Sequence, residues 1–226
     1  MDVRLLYHTP EPERAVAAAA RLCYAPVGAA ELLESLTEKQ INSVLRTVLT
    51  SGHLSTLEHA SYTFAIDGVS RALTHQLVRH RLASYNQQSQ RYVIYAEEPS
   101  FIVPPAIAQH PKALERFEAV NRASFAAYRE LLAHGVSAED ARYVLPNAME
   151  TKIVVTMNIR ELLHFFELRC CNRAQWEIRA LALRMLELAE PTAPYIFMDA
   201  GAACRRGVCP EGPMTCGDPY PKAPKR

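Results

Sequence analysis

The sequence has little that suits a membrane protein or a disulfide scaffold. No apolar run approaches the roughly 20 residues that a membrane-spanning helix needs. Residues 1–7 carry Asp2 and Arg4 where a secretory leader would have an apolar core. Six cysteines in 226 residues are too few and too unevenly spaced for a secreted disulfide framework. The sequence therefore predicts a cytoplasmic protein with reduced thiols and no membrane association.

Charge of one sign is missing from one stretch of the chain. The net charge is +1 and only five residues are lysines, which argues against a generally basic, nucleic-acid-binding surface. Between Asp67 and Glu97, however, there is no carboxylate at all. The same stretch carries four arginines and two histidines, namely Arg71, Arg79, Arg81, Arg91, His75 and His80. A nearly neutral protein with one such stretch is expected to have a discrete site for an anionic ligand.

Helical signals dominate the rest of the chain. Apolar periodicity predicts long helices over residues 13–24, 37–52, 111–134, 159–169 and 174–190. Thr37 and Gln40 match a capping box at the start of the second helix, and Gly52 suits its end. A further helix is predicted to begin after Ser70, as its N-cap, and to run to about His80.

Strand signals are fewer. Tyr62, Phe64 and Ile66 alternate with other residues before an expected turn at Asp67 and Gly68. Residues 152–157 and 91–95 are the other predicted strands. Long helices with few strands predict an α+β or mixed α/β fold with a small central sheet, formed as a single domain by residues 1–200. Residues 201–226, rich in Gly, Pro and Cys, are predicted to be an irregular tail.

The acid-free stretch consists of hydrogen-bonding groups in a definite order. Residues 79–92 read Arg-His-Arg-Leu-Ala-Ser-Tyr-Asn-Gln-Gln-Ser-Gln-Arg-Tyr. Arginine is a planar, bidentate donor that matches phosphate, and Ser, Asn and Gln can bind base or sugar edges. On the predicted helix Gln76 and Arg79 would share one face. The stretch indicates a nucleotide site, although surface arginines also pair with distant carboxylates.

This order resembles the pattern Arg-His-Arg-x-x-Ser-x-Asn-x-x-Ser-x-Arg of the flavin-dependent thymidylate synthases, the ThyX family, at all seven fixed positions. Three more blocks resemble the family in the same order: residues 52–59, residues 141–146, and a stretch from Asn158 to residue 178. The resemblance covers roughly residues 8–199 and leaves the tail outside. One departure is Gln87, where many members have Glu, which removes a negative charge.

The resemblance implies the conversion of dUMP to dTMP. The one-carbon donor would be methylenetetrahydrofolate, and the hydride donor would be reduced FAD, which NADPH regenerates. It implies a homotetramer whose active sites are shared between subunits, so that Arg79 would serve a neighbour's ligand. The small-molecule partners would be dUMP, the folate and NADPH, with no nucleic acid.

Site residues follow from the same resemblance, position by position. It implies FAD contacts from Ser55, Arg79, His80, Arg81, Gln87, Asn158, Arg160 and His164, with His53 and Glu58 as neighbours of the flavin. It implies dUMP contacts from Gln76, Arg79, Gln87, Gln88, Ser89, Gln90, Arg91, Arg142 and Arg169.

Arg169 is the residue that the resemblance implies for catalysis. A guanidinium stays protonated and cannot act as an ordinary general base. Next to the uracil it would favour the N3-deprotonated anion and so push electron density towards C5. From the sequence alone, a cation that caps the end of a helix is the commoner role for such a residue.

The cysteines carry no assigned chemistry. Cys170 and Cys171 lack a histidine partner at a recognisable spacing, so neither is assigned as a nucleophile. Cys204, Cys209 and Cys216 could be three metal ligands, but structural zinc usually takes four. We therefore assign no metal.

Two other functions stay open at this point. One is binding of RNA or single-stranded DNA, with Tyr85 and Tyr92 as stacking platforms. The other is a flavoprotein that only oxidises NADPH. A flavin spectrum, followed by a test of dUMP-dependent NADPH oxidation, would separate all three.

Overall fold

The structure, a computed structural model, describes residues 1–219 of the 226. In that part of the chain, four strands form one antiparallel sheet in the order β1-β2-β4-β3. The strands are β1 Asp2–His8, β2 Ser61–Ser70, β3 Ala83–Gln87 and β4 Glu150–Asn158. With the many helices, this sheet confirms the predicted α+β class.

Ten α-helices occur in residues 1–219. They are α1 Pro12–Leu22, α2 Ala29–Ser35, α3 Glu38–Thr50, α4 Arg71–Leu77, α5 Pro105–Ala108, α6 Pro111–Ala133, α7 Ala138–Ala141, α8 Ile159–Arg169, α9 Trp176–Ala189 and α10 Pro194–Phe197. Short 3-10 turns occupy Leu54–His59, Arg142–Val144, Glu190–Thr192, Ala203–Arg205 and Gly212–Met214. No helix within residues 1–219 is both long enough and apolar enough to cross a membrane.

The ends of α3 confirm the predicted capping. Thr37 accepts the Gln40 backbone N–H, and the Gln40 side chain accepts the Thr37 backbone N–H at 2.9 Å. At the other end Gly52 has φ +73°, which a residue with a side chain rarely adopts. The next N–H, from His53, then bonds to the Val48 carbonyl at 3.0 Å and closes the helix.

The helix after Ser70 is shorter than predicted. Ser70 does cap it, because its hydroxyl accepts the Leu73 N–H at 3.0 Å. However, α4 ends at Leu77, where the Arg79 N–H bonds to the Gln76 carbonyl in a tightened last turn. The prediction that Gln76 and Arg79 share one helical face is therefore wrong, because Arg79 lies beyond the helix.

Two strand predictions were also wrong. Residues 91–95 form no strand, because the chain turns after Ser89, whose carbonyl accepts the Val93 N–H at 3.1 Å. The expected turn at Gly68 is absent, and β2 continues through it to Ser70. Gly68 has φ +69°, and a Cβ there would lie 3.1 Å from the Met1 nitrogen. Glycine therefore allows the chain to pass Met1 without a turn.

The chain packs as two compact units. The first comprises residues 1–2, 66–79 and 86–153, and Phe125, Tyr128 and Ala141 form its buried cluster. The second comprises residues 3–65, 80–85 and the described residues from 154 onward. In it α1 packs on α3, and α8 packs on α9. The expected boundary near residue 200 is a different division and stays a prediction.

Candidate active site

In the first unit, an arginine cluster of Arg71, Arg91 and Arg142 gathers positive charge. The Arg91 Nε lies 2.6 Å from the Glu139 Oε2. The Arg142 Nε donates to the backbone carbonyl of the same Glu139 at 2.9 Å. Glu139 thus brings together two residues that are expected to contact dUMP. The side chains of Arg91 and Glu139 are each about half exposed, at 52% and 47%.

Arg71 is the member of the cluster to which the sequence assigned no role. Its Nη2 donates to the Gln88 backbone carbonyl at 2.9 Å. Burial is the main cause that lowers the pKa of Arg71; contact with Tyr95 opposes that effect, and the charge of Arg142 adds to it. A signal was present, because an arginine in the first turn of a helix opposes the helix dipole and so needs another reason to be there.

The glutamines of the motif order the loop that follows β3. The Gln87 Nε2 donates to the Thr74 hydroxyl at 3.0 Å and to the Thr151 hydroxyl at 3.3 Å. A glutamate at this position could only accept, so the amide reverses the direction of both bonds. The Ser89 hydroxyl accepts the Arg91 N–H at 3.1 Å. Of the remaining residues expected to contact dUMP or FAD in this unit, Gln76 is half-buried and Arg79 is exposed.

In the second unit, a triad links Glu161, His80 and Arg169; Glu161 and His80 are buried and Arg169 is partly buried. The His80 Nδ1 lies 3.1 Å from the Glu161 Oε1, and the Arg169 Nε donates to the His80 Nε2 at 3.1 Å. His80 and Glu161 are only 4% and 5% exposed. Arginine can only donate, so the His80 Nε2 carries a lone pair and its Nδ1 carries the proton, which it donates to Glu161.

The surroundings of His80 favour this neutral form. Burial is the main cause that lowers the pKa of His80 to about 4, and the charges of Arg169 and His164 lower it further. The Phe165 ring meets the His80 ring edge-on at 4.9 Å between centroids. The Tyr85 hydroxyl donates to the His80 carbonyl at 2.8 Å. These contacts hold the imidazole ring of His80 in one orientation, and its lowered pKa keeps it uncharged near neutral pH.

Helix α8 supplies most of these contacts. Glu161, Phe165 and Arg169 follow one another at intervals of four residues, so they share one face of the helix. The helix begins at the Asn158 side chain, which accepts the Glu161 N–H at 2.9 Å. Burial raises the pKa of the Glu161 carboxyl.

A cavity of about 720 Å³ also borders α8 in the second unit. Its apolar lining comes from leucines 49, 54, 82 and 163 and from Ile196, and its basic lining comes from Arg160, His164 and Arg206. Three carboxylates, Glu161, Glu167 and Asp199, line it as well, and Glu167 pairs with Arg206 at 2.8 Å. The Arg160 Nη1 pairs with the Glu58 carboxylate at 2.5 Å. Of the predicted FAD contacts, Arg160 and His164 line this cavity. The exposed residues Ser55 and Arg81 do not line it, but their neighbours in sequence, Leu54 and Leu82, do.

The cysteines of the tail lie around a much smaller cavity. Cys204, Cys209 and Cys216 line it together with Cys171 from the end of α8. All six cysteines are free thiols. Within residues 1–219, no three Cys, His, Asp or Glu side chains converge in a way that could hold a metal ion. The assignment of no metal stays a prediction.

The sequence reasoning missed the carboxylates of both groups. Glu139 and Glu161 lie far along the chain from the stretch that lacks acids. The sequence also allowed the arginines to pair with distant carboxylates. Arg91 does so, with Glu139. Glu161 stands three residues after Asn158, where a capping box would account for it. In the structure its carboxylate instead contacts His80.

The chain is similar to known proteins of one family. The family model Thy1, thymidylate synthase complementing protein, matches residues 4–195. The flavin-dependent thymidylate synthase of Geobacter sulfurreducens is 58% identical over 218 residues, which cover 96% of this chain and 94% of the relative. The enzyme of the same name from Clostridium tetani is 48% identical over 96% of this chain and 93% of its own length.

A solved structure shows the same fold. The UMP/dUMP methylase PolB of Streptomyces cacaoi, bound with 5-Br dUMP, superposes with a TM-score of 0.76 at 26% identity, covering 87% of this chain and 92% of that chain. A family match over most of the chain and relatives of high identity over nearly its full length agree with the motif in residues 79–91. The chain therefore belongs to the family of flavin-dependent thymidylate synthases.

Proposed function

We propose that this chain methylates dUMP to dTMP with bound FAD, with methylenetetrahydrofolate as the one-carbon donor and NADPH as the reductant. The observation that carries the proposal is the bond from the Arg169 Nε to the His80 Nε2. It fixes a permanent cation of α8 on the central residue of the Arg-His-Arg motif. The identity to named relatives over 96% of the chain supports the same activity.

The arginine cluster is proposed to bind the phosphate of dUMP. Arg91 and Arg142 are held near each other by Glu139, and guanidinium groups match phosphate oxygens in geometry and charge. An exposed ion pair such as Arg91–Glu139 contributes about 1 kcal/mol or less, so an arriving phosphate can displace the carboxylate at small cost. Gln76, Arg79, Gln87, Gln88, Ser89 and Gln90 are proposed to contact the nucleotide as well.

The cavity beside α8 is proposed to hold FAD. Its apolar wall suits a flat aromatic ring system. Arg160 and Arg206 would bind the pyrophosphate by exchanging their partly exposed carboxylate partners, Glu58 and Glu167, for it, and His164 lies beside them. When bound, the flavin supplies the hydride for the reaction. Arg160 and His164 would bind it directly; Ser55, Arg79, Arg81, Gln87 and Asn158 are further proposed contacts. His80 is also a proposed FAD contact, and because its ring is buried we propose that it acts mainly through the triad.

Arg169 is proposed to activate the uracil. Its guanidinium stays charged at every working pH, so it stabilises the uracil anion that forms when N3 gives its proton to water. That charge increases the electron density at C5, which receives the one-carbon group. The guanidinium only stabilises charge in this step and accepts no proton.

A homotetramer in the cytoplasm is proposed for the working enzyme. Apolar and aromatic side chains stand exposed in the first unit, among them Tyr92, Ile94 and Tyr143. Such side chains are commonly covered when subunits meet. A shared active site would also explain why Arg79 is exposed, since it would serve a ligand of the neighbouring subunit. Six free thiols fit a reducing compartment.

The test of the proposal is the variant Arg169→Ala. We expect it to keep its bound flavin and to be reduced by NADPH, but to form no detectable dTMP from dUMP and methylenetetrahydrofolate. Flavin content is read from the absorption spectrum and dTMP by chromatography. Arg184→Ala is a matched control, because Arg184 is exposed on α9 and pairs only with Glu187 in the surface contact that we observe.

The outcomes separate the competing functions. Full dTMP formation by Arg169→Ala would remove Arg169 from the mechanism. A wild-type protein that contains flavin but oxidises NADPH without dependence on dUMP would be an oxidase. A protein that binds no FAD and binds polynucleotides in a strongly salt-dependent way would support the nucleic-acid alternative.

A further inference from the structure

Glu161 is a buried acid to which none of the preceding steps gives a task. We propose that Glu161 is a positioning residue that fixes the tautomer of His80 and, through His80, the direction of the Arg169 guanidinium. The inference rests on the proposed role of Arg169 in the reaction. Glu161 itself would not touch the substrate.

The Arg169 side chain limits which protonation state the His80 ring can adopt. The Arg169 Nε–H can only donate, and it donates to the His80 Nε2 at 3.1 Å. The bond therefore exists only when the Nε2 has no hydrogen. In the other neutral tautomer, or in the imidazolium ion, an Nε2–H would face the Arg169 Nε–H. The arginine would then have to turn away.

Glu161 is the partner of the other ring nitrogen, the His80 Nδ1. An ionised carboxylate has no hydrogen to donate, so Glu161 stabilises only a His80 that carries its hydrogen on Nδ1. A glutamine could present either its oxygen or its NH2 group at that position and would accept both tautomers. Glu161 therefore favours the same tautomer as Arg169, because an ionised carboxylate can only accept and the guanidinium can only donate.

Glu161 and His80 are both largely buried. Glu161 is 5% exposed and His80 is 4% exposed, so little water reaches either side chain. Burying a carboxylate is costly unless the charge is paired or hydrogen-bonded, and a surface position would avoid that cost. The capping function of this helix start is already provided by the Asn158 side chain. A helix cap alone thus does not account for a buried acid at position 161.

Helix α8 restricts the orientation of the Arg169 guanidinium. Glu161 and Arg169 stand two intervals of four residues apart on α8, and Phe165 between them meets the His80 ring edge-on. One helix therefore holds both hydrogen-bond partners of the imidazole and one wall of its pocket. A guanidinium held in this way keeps one orientation, which is what stabilisation of a developing charge requires.

The direct test reads the tautomer itself. Protein labelled with ¹⁵N in histidine is observed by long-range ¹H–¹⁵N NMR at pH 7, and the His80 signals are assigned from their loss in His80→Gln. We expect wild-type His80 to be neutral with its hydrogen on Nδ1. In Glu161→Gln we expect a mixture of tautomers or the Nε2–H form. This measurement needs no turnover and is independent of the proposed function.

The kinetic test is a double-mutant cycle. Glu161→Gln alone should lower kcat for dTMP formation about 10- to 100-fold, the cost of misplacing a catalytic group by a fraction of an ångström or more. KM for dUMP, flavin content and flavin reduction by NADPH should not change. In the His80→Gln background, where the Gln Oε1 can accept from Arg169 and has no tautomer, the same substitution should cost about twofold or less in kcat.

Glu187→Gln is the matched control. It removes a carboxylate from an exposed surface pair on α9 and should leave every readout unchanged.

Each result has a distinct meaning. An Nε2–H tautomer in the wild type would overturn the inference, and so would an equal loss of kcat from Glu161→Gln in both backgrounds. Because Glu161 also lines the cavity proposed for FAD, loss of flavin from Glu161→Gln would point to a direct role there and count against the inference. If Arg169→Ala kept full activity, the proposed function of Arg169 would fail, while the NMR result would still decide the tautomer.

Discussion

The arginine cluster and the buried triad hold positive charge in opposite ways. In the cluster, Arg91 meets a carboxylate at 2.6 Å, yet both side chains are about half exposed and open to exchange. In the triad, His80 and Glu161 are almost entirely buried. An exposed pair can release its cation to an arriving anion, whereas a buried chain of hydrogen bonds holds one orientation. The comparison indicates that the cluster provides affinity and that the triad provides direction.

A fall in pH should produce the largest difference between the triad and the arginine cluster, in their contributions to the free energy of unfolding. Burial, Arg169 and His164 lower the pKa of His80 to about 4, whereas its ordinary value is 6.5. Between these values the unfolded chain binds a proton that the folded chain does not, so the stability from a neutral His80 is lost as pH falls. The loss amounts to up to about 3 kcal/mol. The raised pKa of the Glu161 carboxyl works in the opposite direction and offsets part of it.

The measurement is the free energy of unfolding from urea titrations at pH 7 and pH 4.5. His80→Gln should lose about 2 kcal/mol less than the wild type between these two pH values, because it has no imidazole to protonate. Arginines stay charged throughout, so Arg142→Ala should show the pH dependence of the wild type. Equal losses in His80→Gln and the wild type would show that the triad does not keep His80 neutral.

Arg142→Ala should produce the next largest effect, on affinity. Losing a hydrogen bond to a charged group costs about 2 kcal/mol, which corresponds to a roughly 30-fold rise in KM for dUMP. kcat at saturating dUMP should change little, because the cluster does not direct Arg169. Steady-state kinetics at several dUMP concentrations measure both constants.

Arg122→Ala is the control for this experiment. Arg122 is an exposed arginine of the same unit, paired with Glu118 on α6. If Arg142→Ala lowered kcat and left KM unchanged, the division between affinity and direction would be wrong.

The accuracy of the sequence-based prediction varied with how local each signal was. Helix α8 was predicted with the bounds that the structure shows, because Asn158, the apolar period and Arg169 all lie within one segment. Strand β3 was missed since its residues, Ala83–Gln87, show no apolar alternation. The strand instead forms at the sheet edge, where the Gln88 N–H bonds to the Lys152 carbonyl at 2.9 Å, a partner distant in sequence.

The site divides in the same way. Four of the basic residues could be named from the sequence because Arg79, His80, Arg81 and Arg91 stand in one contiguous motif. Their acidic partners could not, because Glu161 lies 81 positions from His80 and tertiary packing alone brings the two together. A pairing of that kind leaves no period or spacing in the sequence. The cationic groups of the site were therefore predictable, and the residues that orient them were not.

The smallest expected effect comes from the Arg91–Glu139 contact, in which we expect a phosphate to displace the carboxylate. Glu139→Gln removes the charge that holds Arg91 but keeps the backbone carbonyl that accepts from Arg142. Arg91 then no longer has to leave a carboxylate before it meets the phosphate. An exposed pair is worth about 0.2–1 kcal/mol, so KM for dUMP should fall about two- to fivefold at low ionic strength. The fall should shrink as salt is added.

Glu118→Gln changes the net charge of the same unit equally and should leave KM unchanged. A rise in KM for Glu139→Gln would mean that Glu139 orients Arg91 for the phosphate, and the cluster would then resemble the triad more than it differs from it.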